Sequence, residues 1–81
     1  MEEVKSVFML ELSVYRDGEV YTSDVFGLYS TIYNCLKRLL QFEKDLTEQQ
    51  RVEFLMDKVI KIEYPFGDYV YRAIFVGIDE F

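Results

Sequence analysis

The stretch that most restricts the fold is EYPFGDYVYRAIFVGIDEF, residues 63–81, which reads as a hairpin whose second strand is apolar on both sides. Successive side chains of a strand point to opposite faces of its sheet, so such a strand needs cover above and below. A chain of 81 residues forms one small domain, 1–81. A domain of that size buries only about 60–65 % of the surface its unfolded chain exposes. Cover for two sheet faces is more than it can supply alone.

The turn decides which face of the last strand is inside. Pro65 pre-sets φ for the first turn position and Gly67 can take the left-handed conformation, so the expected connection is a three-residue loop, Pro65-Phe66-Gly67, that pairs Tyr64 with Asp68. That register places Val70, Arg72, Ile74, Val76 and Ile78 on the core side and turns Tyr69, Tyr71 and Phe75 outward. A four-residue loop ending at Asp68 moves every side chain to the other face. It also sets Lys61 against Arg72, two like charges. The three-residue register is therefore the expected one.

Upstream, KSVFMLELSVYRDGEVYTSDVF opens with strand alternation, placing Phe8, Leu10, Leu12 and Val14 on one face and Val7, Met9, Glu11, Ser13 and Tyr15 on the other. Asp17-Gly18 between two such runs predicts a type I′ hairpin with Arg16 facing Glu19. Counting back from that turn sets Glu11 opposite Asp24, a repulsive pair that a β-bulge is expected to relieve. Ser30 is a candidate N-cap for a helix with Ile32, Cys35, Leu36, Leu39 and Leu40 on one stripe. Thr47 and Gln50 have capping-box spacing ahead of a second helix, with Val52, Leu55, Met56 and Val59 at helical spacing. The order β-β-α-α-β-β predicts an α+β two-layer domain, a mainly antiparallel four-stranded sheet with both helices on one face. Four strands about 4.8 Å apart make a sheet roughly 19 Å wide, and two helices about 10 Å across cover one side of it.

Composition narrows function mainly by exclusion. Half the residues are hydrophobic, with seven Tyr and seven Phe, which is too apolar for a disordered chain even at a net charge of -6. The nine bases are scattered, whereas binding nucleic acid by counterion release needs a clustered basic face. The sequence contains no histidine, the commonest general base and metal ligand. Cys35 sits on an apolar helical stripe, where a thiol is inert. No enzymatic activity, catalytic residue, metal site or cofactor is expected. The opening MEEVKS is acidic where a signal peptide would be basic, and no apolar run approaches a membrane span, so a cytoplasmic location is the expectation.

The expected function is that of a non-catalytic protein-binding module. The residues expected to meet a partner are Tyr69, Tyr71, Phe75, Tyr15, Met9 and Val7, with Glu11, Asp24, Asp79 and Glu80 as an acidic rim. In size, acidity, aromatic richness and lack of catalytic motifs the chain resembles the small proteins that bacteriophages make to inhibit host enzymes or defence systems. That resemblance implies a stoichiometric inhibitor of a host protein, acting in the host cytoplasm. Two alternatives stand beside it. One is a small nucleotide- or metal-binding domain using Glu11, Asp24, Tyr29 and Tyr33. The other is a homodimer packed face to face through its sheets. The helix-side acids Glu43, Asp45, Glu48, Glu53 and Asp57 read as a solvated face interrupted by Lys44, Arg51 and Lys58. Tyr71→Glu discriminates the two hairpin registers, since it spares the fold if Tyr71 points outward and unfolds the chain if Tyr71 is core.

Overall fold

The structure, a computed structural model, describes residues 6–77. Its elements are β1 (Ser6–Arg16), β2 (Glu19–Tyr29), α1 (Ile32–Phe42), α2 (Glu48–Asp57), β3 (Val59–Tyr64) and β4 (Gly67–Gly77). The four strands form one antiparallel sheet in the order β2-β1-β4-β3, the α+β arrangement expected from the sequence. The hairpins therefore lie side by side, with β1 and β4 as the central pair.

Local chemistry explains the first hairpin. Asp17 and Gly18 both take positive φ, 55° and 81°, as a type I′ turn requires, and Arg16 pairs with Glu19. The register then shifts between Val14 and Tyr15 and again between Leu10 and Glu11, with Tyr21 and Phe26 as the extra residues of β2. The first shift moves Asp24 opposite Leu12 and Val25 opposite Glu11, so the repulsive carboxylate pair never forms. The second turns Phe26 toward the helices, where it stacks on Phe42 of α1 with ring centroids 4.5 Å apart.

Both helices begin with side-chain caps. The α1 cap is Thr31, whose hydroxyl accepts from the Asn34 N–H at 3.1 Å, one residue later than the Ser30 expected. Thr47 and Gln50 form the reciprocal capping box at α2. Cys35, Leu36 and Leu39 of α1 are buried, as their stripe predicts. The α2 stripe holds at Leu55, which packs against the core, and needs correction elsewhere. Phe54 is fully buried while Met56 is 72 % exposed and Val52 is also exposed, and Val59 belongs to β3. Phe54 carries the largest apolar side chain of α2 and fills the space between helix and sheet with one rigid ring, so the short helix rolls to seat it. Lys58 then ends α2 in the left-handed conformation, and its carbonyl accepts from the Ala73 N–H at 2.9 Å, which ties the helix end to β4.

The largest correction concerns the second hairpin. Its loop has two residues, Pro65 and Phe66, and pairs Tyr64 with Gly67. This register faces Lys61 with Val70 and Arg72 with Val59, which avoids the Lys61–Arg72 opposition of a four-residue loop while keeping its parity. Tyr69, Tyr71 and Ala73 thus lie on the face of Val14, Leu12 and Leu10, beneath the helices. Val70, Arg72, Ile74 and Val76 face the other way, and Ile78 lies outside the described residues. The deciding term is Arg72. The expected register would press its guanidinium against the helix layer without a partner, whereas the observed one sets it opposite Glu11.

One core results. Leu10, Leu12, Val14, Ile60, Tyr71 and Ala73 of the sheet pack against Cys35, Leu36, Leu39, Leu46 and Phe54. The two hairpin tips approach closely beside it, and a Cβ at Gly67, whose φ is 155°, would lie 2.6 Å from the Tyr15 carbonyl oxygen. Gly67→Ala should therefore destabilise the fold by about 1–3 kcal/mol, measured by urea unfolding. A neutral result would mean that the tips separate freely.

Candidate functional site

Among the described residues no element lies over the side of the sheet away from the helices. β1 contributes Val7, Met9, Glu11, Ser13 and Tyr15; β2 contributes Leu28, Val25, Ser23 and Val20; β4 contributes Val76, Ile74, Arg72, Val70 and Asp68; β3 contributes Val59, Lys61 and Glu63. The end nearest Ser6 and Gly77 is apolar, built from Val7, Met9, Leu28, Ile74 and Val76. Leu28 is 63 % exposed there, and Val76 and Val25 are exposed as well. Across the middle, Arg72 Nη1 meets Glu11 Oε1 at 3.6 Å. Lys61 is paired with Glu63 at 3.5 Å on the outer strand.

The tip end of this face holds a shallow groove of about 670 Å³ between the two turns. Val70 is buried, yet it stands apart from the helix-side core and helps line this groove with Tyr15, Lys61, Phe66, Asp68 and Arg72. Cations and anions alternate around it, so the groove has no single-sign field.

The expected contact residues divide between the two faces. Val7, Met9 and Tyr15 are on the open side as expected. Tyr71 is 1 % exposed and belongs to the core, Tyr69 is half-buried against that core, and Phe75 faces the helix side. Phe75 is 57 % exposed and sits edge-on to Phe8 at 5.6 Å. Their assignment to the open face is corrected, because the two-residue loop reverses the parity on which it depended. Tyr71→Glu is accordingly an unfolding substitution. In place of these aromatics the open face carries Ile74 and Val76, which the same parity brings outward, beside Leu28 of β2.

Of the acidic rim, Glu11 lies on the open face paired with Arg72, and Asp24 lies opposite Leu12 on the other side of the sheet. The two carboxylates therefore cannot share one cation. Among the described residues no three acids, Cys or His gather into a metal-binding cluster. Asp79 and Glu80 lie outside the described residues. Tyr29 is half-buried and its hydroxyl donates to the Phe26 carbonyl at 3.3 Å, while Tyr33 is exposed, so the pair does not form a stacking site. Burial pushes the Cys35 thiol up to about 11, which keeps it protonated and inert. No helix among the described residues is long and apolar enough to cross a membrane.

Glu43 is the functional group that sequence reasoning misplaces. Far from being a member of a solvated acidic face, it caps the end of α1 and accepts hydrogen bonds from the hydroxyls of Tyr64 and Tyr71, the latter at 2.7 Å. This carboxylate joins the helix layer to β3 and β4 at once. Its hydrogen bond and burial push the Tyr64 hydroxyl from 10 up to about 12; burial, then the same hydrogen bond, push Tyr71 up further. A tyrosine whose proton is held more tightly in the folded state stabilises that state fully below pH 10 and loses the contribution as pH rises through about 12. Tyr71→Phe should therefore cost about 1.5–3 kcal/mol at neutral pH and flatten the alkaline loss of stability. An unchanged alkaline profile would contradict the Glu43 bridge. Comparison with protein-family models, with curated proteins and with solved structures yields no match for this chain.

Proposed function

We propose that this chain works by binding a protein and not by turnover, and that the open face of its sheet is the contact surface. The observation that carries this reading is the placement of both helices on one side. The residues of the one core face them, while on the other side Leu28 and Val76 are exposed and Val7, Met9 and Ile74 half-buried, with no second layer over them among the described residues. Burying such a patch against a partner gains roughly 25 cal/mol for each Å² of apolar surface removed from water, a large increment for a domain of this size. The patch is bordered by the Glu11–Arg72 pair, which gives register to a contact that apolar side chains alone would leave loose.

The absence of histidine and the inert thiol fit binding better than acid–base or nucleophilic chemistry. A stoichiometric inhibitor of a host protein is the form of binding that the chain's size and acidity favour.

Two methionines make the reading testable without knowing the partner. Met9 lies on the open face and Met56 on the outer side of α2. Under mild peroxide, Met9 should oxidise more slowly in an extract of the native source than in purified protein diluted to low nanomolar concentration. Met56 should oxidise equally in both. Equal Met9 rates in the two settings would contradict the docking surface.

A further inference from the structure

A second site lies away from the open face, along the free edge of β3. We propose that this edge takes up an extended peptide segment as an added antiparallel strand, and that the segment's central side chain is an arginine or lysine seated beside Glu43 and Asp45. The proposal goes beyond the open face and does not rest on it.

The hydrogen-bond parity of the last hairpin defines what the edge offers. The Ala73 N–H donates to the Lys58 carbonyl at 2.9 Å, so these two residues stand at a hydrogen-bonded position of the ladder. Counting on by twos along the register, Ile60, Ile62 and Tyr64 turn their N–H and C=O groups toward β4. Val59, Lys61 and Glu63 turn theirs outward, and β3 is the last strand of the sheet. Among the described residues no other backbone group meets them. A row of main-chain donors and acceptors is thus held ready in strand geometry.

The two edges of the sheet differ. β3 pairs with β4 from Val59 to Tyr64 without a register shift, whereas two shifts interrupt β2. Bulges are a means of keeping foreign strands off an edge, and β3 has none. Lys61 is paired with Glu63 at 3.5 Å, so the edge carries no row of like charge either.

A neighbouring cleft selects the side chain. On the helix side of β3 a cavity of about 500 Å³ has apolar walls from Phe42, Leu46, Ile62 and the Tyr64 ring. Glu43 and Asp45 bring two carboxylates to it against the single cation of Lys44. α1 ends here with no basic residue in its last turn, so the negative end of the helix dipole adds to them. Each oxygen of Glu43 accepts one tyrosine hydroxyl and keeps a lone pair for a further donor. An aliphatic stem for the walls and a cationic head for the carboxylates describe arginine and lysine. In an added strand the residue opposite Ile62 lies about 4.8 Å from it and points to the same side, over the cleft. Main-chain bonds then supply affinity and the cleft supplies the choice of side chain.

The probe is a terminally blocked heptapeptide, Thr-Val-Thr-Arg-Thr-Val-Thr, titrated into isotope-labelled protein and followed by amide chemical shifts. The amides of Val59, Lys61 and Glu63 should shift and slow their exchange with solvent, while those of β2 stay unchanged. N-methylation of the two threonines beside the arginine removes the donors that face β3 and should abolish binding. N-methylation of the two valines, whose N–H groups point away, should leave it intact. Glutamate in place of the arginine should weaken binding at least about 10-fold. Asp45→Asn should weaken it about 2- to 5-fold. Lys61→Pro removes only an outward-facing N–H, so this variant should fold and fail to bind.

No shift along β3 at about 1 mM peptide overturns the proposal. So does equal binding by the two methylated peptides, equal binding by the arginine and glutamate peptides, or a set of shifts confined to the open face. Should Lys61→Pro lose its circular dichroism spectrum, the methylated pair makes the same distinction on the unaltered protein. Oxidation of Met9 reads the open face alone, so failure of either surface is distinguishable from failure of the other.

Discussion

The pairing of β1 with β4 at the centre of the sheet fixes where every other group in this domain can go. Once Leu12 stands opposite Tyr71, the alternation of both strands sends Leu10, Val14 and Ala73 to the helices and Glu11, Arg72, Met9 and Ile74 to the opposite side. A slip of one residue would put a guanidinium under α1 and strand the Tyr71 ring in water. The register is thus held from both sides, by the apolar contacts of Tyr71 and Ala73 and by the Glu11–Arg72 pair.

From that pairing the helix layer and the open face follow as two consequences of one parity. Tyr71 is brought to where its hydroxyl reaches Glu43, and Tyr64, two rows along on β3, reaches the same carboxylate. Phe54 and Leu39 fill the space between helices and sheet, with small Ala73 beneath them. The same alternation leaves valines, a leucine, an isoleucine and a methionine facing outward, with no third layer among the described residues to meet them.

What could be read from the sequence was what local chemistry determines. The Asp17-Gly18 turn, the Thr47–Gln50 box, the inward set Leu10, Leu12 and Val14, and the α1 stripe each depend on residues a few positions apart. The order of elements and the shortage of cover for one sheet face followed from these. The face of β4 did not, because Pro65 and Gly67 permit more than one loop length. The choice among them is made by contacts with residues far away in sequence, Glu11 for Arg72 and Glu43 for Tyr71. The packing face of α2 was missed for a similar reason: Val52, Leu55 and Met56 keep better helical spacing than Phe54, yet the cavity over β3 is filled best by one ring. The open patch was legible as a patch, through Val7 and Met9, while its other half, Ile74 and Val76, appeared only with the correct parity.

The most direct measurement of the account is a nuclear Overhauser experiment on isotope-labelled protein that reads the register of the central strands. Cross-peaks linking the Tyr71 ring to Leu12 and Ile60 on the helix side, and the Met9 methyl to Ile74 on the other side, are the predicted result. A Tyr71 ring without contact to Leu12, or Met9 in contact with helix-side residues, would contradict it.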